Sequence, residues 1–132
     1  MRILAILTAA GVAACAATQS MPDAGEGAAI YDANCVQCHG ASGKGDGPWA
    51  SGLTPRPADL TQLSDKGVFP RAHVLSVIDG YDRTGLPGQE MPEFGLLLEG
   101  DTVPLDVGDG TLTPTPRPLA ALMAYLESIQ TR

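Results

Sequence analysis

Five consecutive residues, Cys35-Val36-Gln37-Cys38-His39, constrain this chain more than any other stretch of it. On a helix, positions i, i+3 and i+4 share one face. A single turn would therefore present two thiols and an imidazole to the same neighbour. Three common uses of paired cysteines fit poorly. A thioredoxin-like redox pair belongs in a βαβ setting, and no alternation of strand and helix patterns surrounds Cys35. A zinc site needs further Cys or His ligands, and outside the motif the chain has only Cys15 and His73. A structural disulfide gives no role to the adjacent His39. The pattern instead fits covalent attachment of a c-type haem, with the thiols of Cys35 and Cys38 adding to its vinyl groups and His39 as proximal iron ligand.

The N-terminus reads as an export signal. Met1-Arg2 gives a positive start, and the apolar run 3–14 that follows is too short to span a bilayer. The run ends Val12-Ala13-Ala14-Cys15, an aliphatic residue and two small ones before a cysteine, which resembles a bacterial lipobox. The expectation is a signal peptide at 1–14 and lipid on the sulfur and amino group of Cys15. The alternative is ordinary signal cleavage, with Cys15 an incidental thiol. An unpaired cysteine in an exported chain calls for a special explanation, which favours the lipid. Several acyl chains make a durable anchor where one is marginal. Residues 15–25 would then hold the anchor and a flexible tether of small and polar residues. Leu96-Leu97-Leu98 is a local apolar cluster, not a span.

The remaining residues, 26–132, make one domain of modest size. With 16 Gly, 11 Pro, one Trp, three Tyr and two Phe, the chain is rich in loops and short of apolar mass. A buried porphyrin would complete its core, so the apo-chain should fold poorly. The net charge of −7 argues against nucleic acid, which wants a basic face. It suits docking to a redox partner protein with a basic face; solubility alone is the other explanation.

Apolar periodicity predicts a helix over 26–39, ended by Gly40. The Gly-rich stretch 40–52 is a wrapped loop, and the spacing around Lys44 is not that of a P-loop. A second helix is expected over 70–78, with Pro70 at its start and Gly80 past its end. Residues 85–95 read as a loop. Residues 102–113 alternate and contain Asp109-Gly110, which suggests a small β-hairpin, with Pro104 confining it to an edge. Asp101, Asp106 and Asp109 lack EF-hand spacing and read as solvated. The clearest helix is 117–129, where Leu119, Leu122, Met123, Leu126 and Ile129 recur at steps of three and four.

The second axial position decides the chemistry: an open iron binds small molecules, a filled one favours electron transfer. The candidates are Met21, Met91, Met123 and His73. Met21 lies in the tether, and Met123 on the apolar face of the last helix, where it reads as core. His73 opens a short helix and reads as a surface or capping residue. Met91 sits on a Gly/Pro-rich loop and is followed by Pro92, which fixes one dihedral and removes a donor. A constrained loop of this kind can hold sulfur at an iron.

The haem motif and the run Met91-Pro92-Glu93-Phe94-Gly95 together make the chain resemble a class I c-type monohaem cytochrome over roughly 25–130. The resemblance implies an all-α cytochrome c fold, with N- and C-terminal helices crossing at a steep angle and the haem pocket closed by loops. Gly27 matches the small residue eight before the first Cys, and Tyr31 the aromatic four before it. Leu122 and Tyr125 match their partners on the last helix. Met91 matches the axial methionine. The family also has a proline carbonyl that accepts from the proximal imidazole; Pro48 and Pro57 both qualify. Trp49 either lines the pocket, anchors a propionate or simply packs. Arg56 and Arg71 are candidates for the propionates, with solvated surface positions the better expectation. The stretch between Phe94 and the last helix is longer than in minimal members, and either shields the haem edge near Met91 or forms a partner-specific surface.

The implied function is single-electron transfer by one covalent haem c with His39/Met91 ligation. The protein would be a periplasmic electron carrier, not itself an enzyme, anchored to a bacterial membrane through lipidated Cys15. The alternatives are a haem-bearing subunit of a dehydrogenase or oxidase complex and, further off, a haem peroxidase or gas sensor.

Overall fold

The structure is a computed structural model that describes residues 20–81 and 91–131. The signal peptide expected at 1–14, the anchor at Cys15 and most of the loop expected at 85–95 lie outside these residues. The described residues enter the stretch 15–25 that the sequence reads as anchor and tether. Helix α1 (Ala24–Asn34) begins inside it because Asp23 caps the helix, its carboxylate accepting from the Glu26 amide at 2.9 Å. Glu26 also suits the positive end of the helix dipole. It pairs with Arg117, whose guanidinium donates to the Glu26 carboxylate and to the Ser20 carbonyl.

The single helix expected over 26–39 is two pieces. Cys35 forms a turn after α1, and α2 (Val36–His39) follows as one further helical turn. The Cys35 carbonyl accepts from both Cys38 (3.2 Å) and His39 (2.9 Å). The Asn34 side chain donates back to the Ile30 carbonyl at 2.8 Å, a local bond of the sort that bends helices.

Helix α3 (Arg71–Asp79) matches the expected 70–78 within a residue, and Gly80 closes it with its amide on the Ser76 carbonyl. Arg71 is partly exposed. It forms a bidentate pair with Glu127 at 2.8–3.0 Å and donates to the Asp106 carbonyl, fastening α3 to two other elements. The hairpin is present but runs further than expected, with β1 (Thr102–Asp106) antiparallel to β2 (Leu112–Pro116). Pro104 faces Pro114, and Thr102 faces Pro116. In an antiparallel pair such positions alternate with hydrogen-bonded ones. All three prolines therefore occupy the parity that needs no amide, and the pairs at 103/115 and 105/113 carry the ladder. The side chains of Asp106 and Asp109 accept from amides of the hairpin loop.

Helix α4 (Arg117–Ser128) has Pro118 in its first turn, a position that wants no amide donor. It packs along α1. Gly27 makes that approach possible: a Cβ there would overlap the Ala121 carbonyl and stand 2.7 Å from Tyr125 Cβ. Next to it Tyr31 is fully buried, its ring 5.0 Å from that of Tyr125 and its hydroxyl donating to the Gly40 carbonyl at 2.7 Å. Leu119, Leu122, Met123 and Leu126 of α4 join Tyr31, Val74 and Ile78 in one core. The end of α4 is fixed by Gln130. Its side chain accepts from the amides of Leu63 and Ser64 and donates to the carbonyls of Leu60 and Leu126. Among the described residues no helix is long and apolar enough to cross a membrane.

Candidate functional site

A cavity of about 350 Å³ lies among α1, α2, the loop before residue 60, α3 and the segment that starts at Met91. That volume is within the usual range for cofactor sites. Cys35, Cys38 and His39 line it from the helical turn; Met91, Pro92 and Phe94 line it from a distant part of the chain. Leu122 and Leu126 join it to the core. The four residues singled out as cofactor-binding thus meet at one cavity.

The turn that carries the motif is too short to hold itself. A helix leaves its last four carbonyls without partners, and α2 has only four residues. The Gly-rich loop supplies the missing donors. Amides of Gly40, Trp49, Gly47 and Gly45 reach the carbonyls of Val36, Gln37, Cys38 and His39 respectively, at 2.9–3.1 Å. Gly47 is required where the loop crosses the turn: a Cβ would sit 2.5 Å from the carbonyl oxygens of both Val36 and Gln37. The glycines read from sequence as a wrapped loop are therefore the clamp that shapes the motif.

His39 is buried, and its Nδ1 lies 3.0 Å from the Ala58 carbonyl. A carbonyl can only accept, so Nδ1 carries the proton and Nε2 keeps its lone pair for a metal. The orienting oxygen belongs to Ala58, not to Pro48 or Pro57 as the resemblance suggested. Two local bonds place it. The Leu60 amide donates to the Gly43 carbonyl at 2.6 Å, and the Asp59 side chain caps the 3₁₀ turn Leu60–Gln62 through Thr61. Sequence reasoning had no means of finding Ala58, because any residue has a carbonyl.

Burial lowers the pKa of His39, partly opposed by the Ala58 bond, so the ring is neutral and able to ligate near pH 7. Burial first, and then the neighbouring Cys38, push the Cys35 thiol up to about 11. A redox-active Cys-x-x-Cys pair needs the opposite, a lowered pKa and a ready thiolate. Both thiols are free. The environment suits attachment of an apolar group better than disulfide exchange.

The segment that begins at Met91 is fastened to α3. The Phe94 amide donates to the Ile78 carbonyl at 2.9 Å and the Gly95 amide to the Asp79 carbonyl at 3.3 Å, so the segment rests on the C-terminal end of that helix. Met123 is core, as expected, and Met21 is exposed. His73 is exposed on α3, as expected, but also lines the cavity, a placement its sequence context did not reveal. Arg56 likewise is exposed and lines the cavity. Trp49 is exposed on the loop that clamps α2 and is not among the cavity-lining residues.

Two thiols, an imidazole of fixed tautomer and a thioether, gathered on a largely apolar cavity, form a donor set that fits a haem. Residues 24–130 match the family model described as Cytochrome c. No curated protein and no solved structure gives a significant match to the chain. The family match covers most of the sequence and contains the whole cavity: the chain belongs to the cytochrome c family, which binds covalent c-type haem and serves haem-based electron transfer.

Proposed function

We propose that this chain is a monohaem class I cytochrome, a single-electron carrier of the periplasm held to a bacterial membrane by lipid on Cys15. Cys35 and Cys38 form the thioethers, and His39 and Met91 are the axial ligands. The observation that carries the reading is the meeting of His39 and Met91 at one cavity, the His39 ring held by the Ala58 carbonyl and the segment that begins at Met91 tied to α3 through the Phe94 and Gly95 amides. Haem, when bound, supplies the one-electron couple of its iron. The protein's part is to keep the site the same in both oxidation states. The Ala58 carbonyl fixes the His39 ring and raises its basicity. The rest of Met91's segment is pinned to α3, and the largely apolar lining would shield the iron from water. Methionine ligation raises the potential. The α1/α4 pair would be the crossing helices of the class.

Potentiometric titration of the haem-loaded protein tests this. A carrier gives a single reversible one-electron wave, and its ferrous form does not take up carbon monoxide at neutral pH. Carbon monoxide binding would favour a haem peroxidase or gas sensor. Anchoring is tested separately: Cys15→Ser should move the protein from the membrane to the soluble periplasmic fraction.

A further inference from the structure

The long stretch after Phe94 carries an apolar surface that no element of the described fold covers. The Leu98 amide donates to the Phe94 carbonyl at 2.8 Å, closing one turn of chain. That turn buries Leu98 and turns its neighbours outward: Leu96 is 87% exposed and Leu97 65% exposed. Tyr81, 89% exposed, leaves from the same junction. It follows Gly80, where a Cβ would stand 2.9 Å from Glu93 Cβ, and Gly95 packs as closely on Asp79. Three of the large apolar side chains most open to water thus gather where the end of α3 meets the segment that begins at Met91. Exposed Glu93, Glu99 and Asp101 lie on the same segment, with no Lys or Arg between residues 91 and 116; Arg117 follows beside Asp101, its guanidinium paired with Glu26. Apolar centres with a charged rim are the usual build of a docking surface. The same segment is a wall of the cavity, so a partner seated here would lie against the outside of the site.

We infer that Tyr81, Leu96 and Leu97, rimmed by Glu93, Glu99 and Asp101, form the docking face for a redox protein that presents an apolar patch ringed by Lys or Arg. The choice of partner rests on charge complementarity: the rim is acidic, and so is the whole chain at −7. The acids steer the encounter and the leucines hold it. The inference rests on the electron-carrier reading and adds the face through which electrons pass.

The test uses the haem-loaded protein and two one-electron oxidants. Tris(bipyridine)cobalt(III) is a cation with aromatic faces, and ferricyanide is an anion. In both reactions the ferrous iron loses one electron and the reagent's metal gains it. By stopped flow, Leu96→Ser/Leu97→Ser should slow the cobalt reaction about fivefold and leave ferricyanide within about twofold. Glu93→Gln/Glu99→Gln/Asp101→Asn should slow the cobalt reaction about fivefold at low salt, speed ferricyanide, and flatten the salt dependence of both. Should the serine pair not take up haem, Leu96→Ala/Leu97→Ala replaces it. Cobalt rates unchanged in all variants would overturn the face and leave the carrier reading standing. A haem-loaded wild type that reacts with neither oxidant would overturn the carrier reading itself. Self-association of the wild type at micromolar concentration, abolished by the leucine substitutions, would also overturn the proposal, the face then being one between copies of this chain.

Discussion

Gly27→Ala sets two calculable effects against each other. In a helix interior alanine is favoured over glycine by about 1 kcal/mol. Against that stands the packing of α1 on α4. The new methyl would overlap the Ala121 carbonyl and sit 2.7 Å from Tyr125 Cβ, whereas carbons pack best at about 3.5–4.0 Å. Both obstacles belong to the backbone or to the first atom of a side chain, so neither can rotate away. The helices must part by about 1 Å, which loosens the seam holding Tyr31 and Leu122. Overpacking of this kind costs about 1–3 kcal/mol and occasionally more. The seam is the main helix contact of the domain, so the upper end applies and the net loss should be about 2 kcal/mol. For a domain near 100 residues that lowers Tm by roughly 10 °C. The assay is thermal unfolding of the haem-loaded variant by far-ultraviolet circular dichroism. Gly25→Ala is the control in the same helix: its methyl meets only the capping carboxylate of Asp23, at 3.2 Å, a side chain that can shift, so its cost should stay well below that of Gly27→Ala. If Gly27→Ala behaves like Gly25→Ala, the close-approach argument is wrong.

Two further substitutions probe how the loop near the site is held. Gln130→Ala removes four hydrogen bonds, three that tie residues 60–64 to the end of α4 and one to Leu126 within it; it should cost about 2 kcal/mol, seen as a lower urea midpoint at unchanged m-value, and a loss below about 0.5 kcal/mol would contradict it. Asp59 is held below the ordinary aspartate range by its bonds from the Thr61 side chain and amide. Its stabilising effect is therefore full above the unfolded value and is lost as pH falls through the lower folded value. The stability gap between wild type and Asp59→Ala should be open at pH 7 and narrow below about pH 4; a gap that does not change with pH would refute the role given to the carboxylate.

Side-chain pattern carried much of this fold into the sequence. The apolar steps of α4 and the Pro70/Gly80 brackets of α3 located both helices within a residue or so. The family resemblance, not the pattern, paired Gly27 and Tyr31 with the last helix, and each meets Tyr125 there. The misses share a cause. The break at Cys35, the Ala58 oxygen on His39 and the lacing of four loop amides over α2 are backbone events, fixed by where distant segments come to rest. No residue type signals them. The pairing of Arg71 with Glu127, 56 positions away, was hidden for a related reason: only the fold brings the two within reach. His73 shows the limit from the other side, an exposed helix residue that borders the cavity only because α3 forms one of its walls.

The central claim is that His39 and Met91 close both faces of a haem iron. The direct measurement is the absorption spectrum of the ferric, haem-loaded protein, beside that of Met91→Ala. The account predicts a weak long-wavelength sulfur-to-iron band in the wild type, its loss in Met91→Ala, and a ferrous variant that now binds carbon monoxide. A band that survives the substitution, or a wild type that lacks it, would contradict the account.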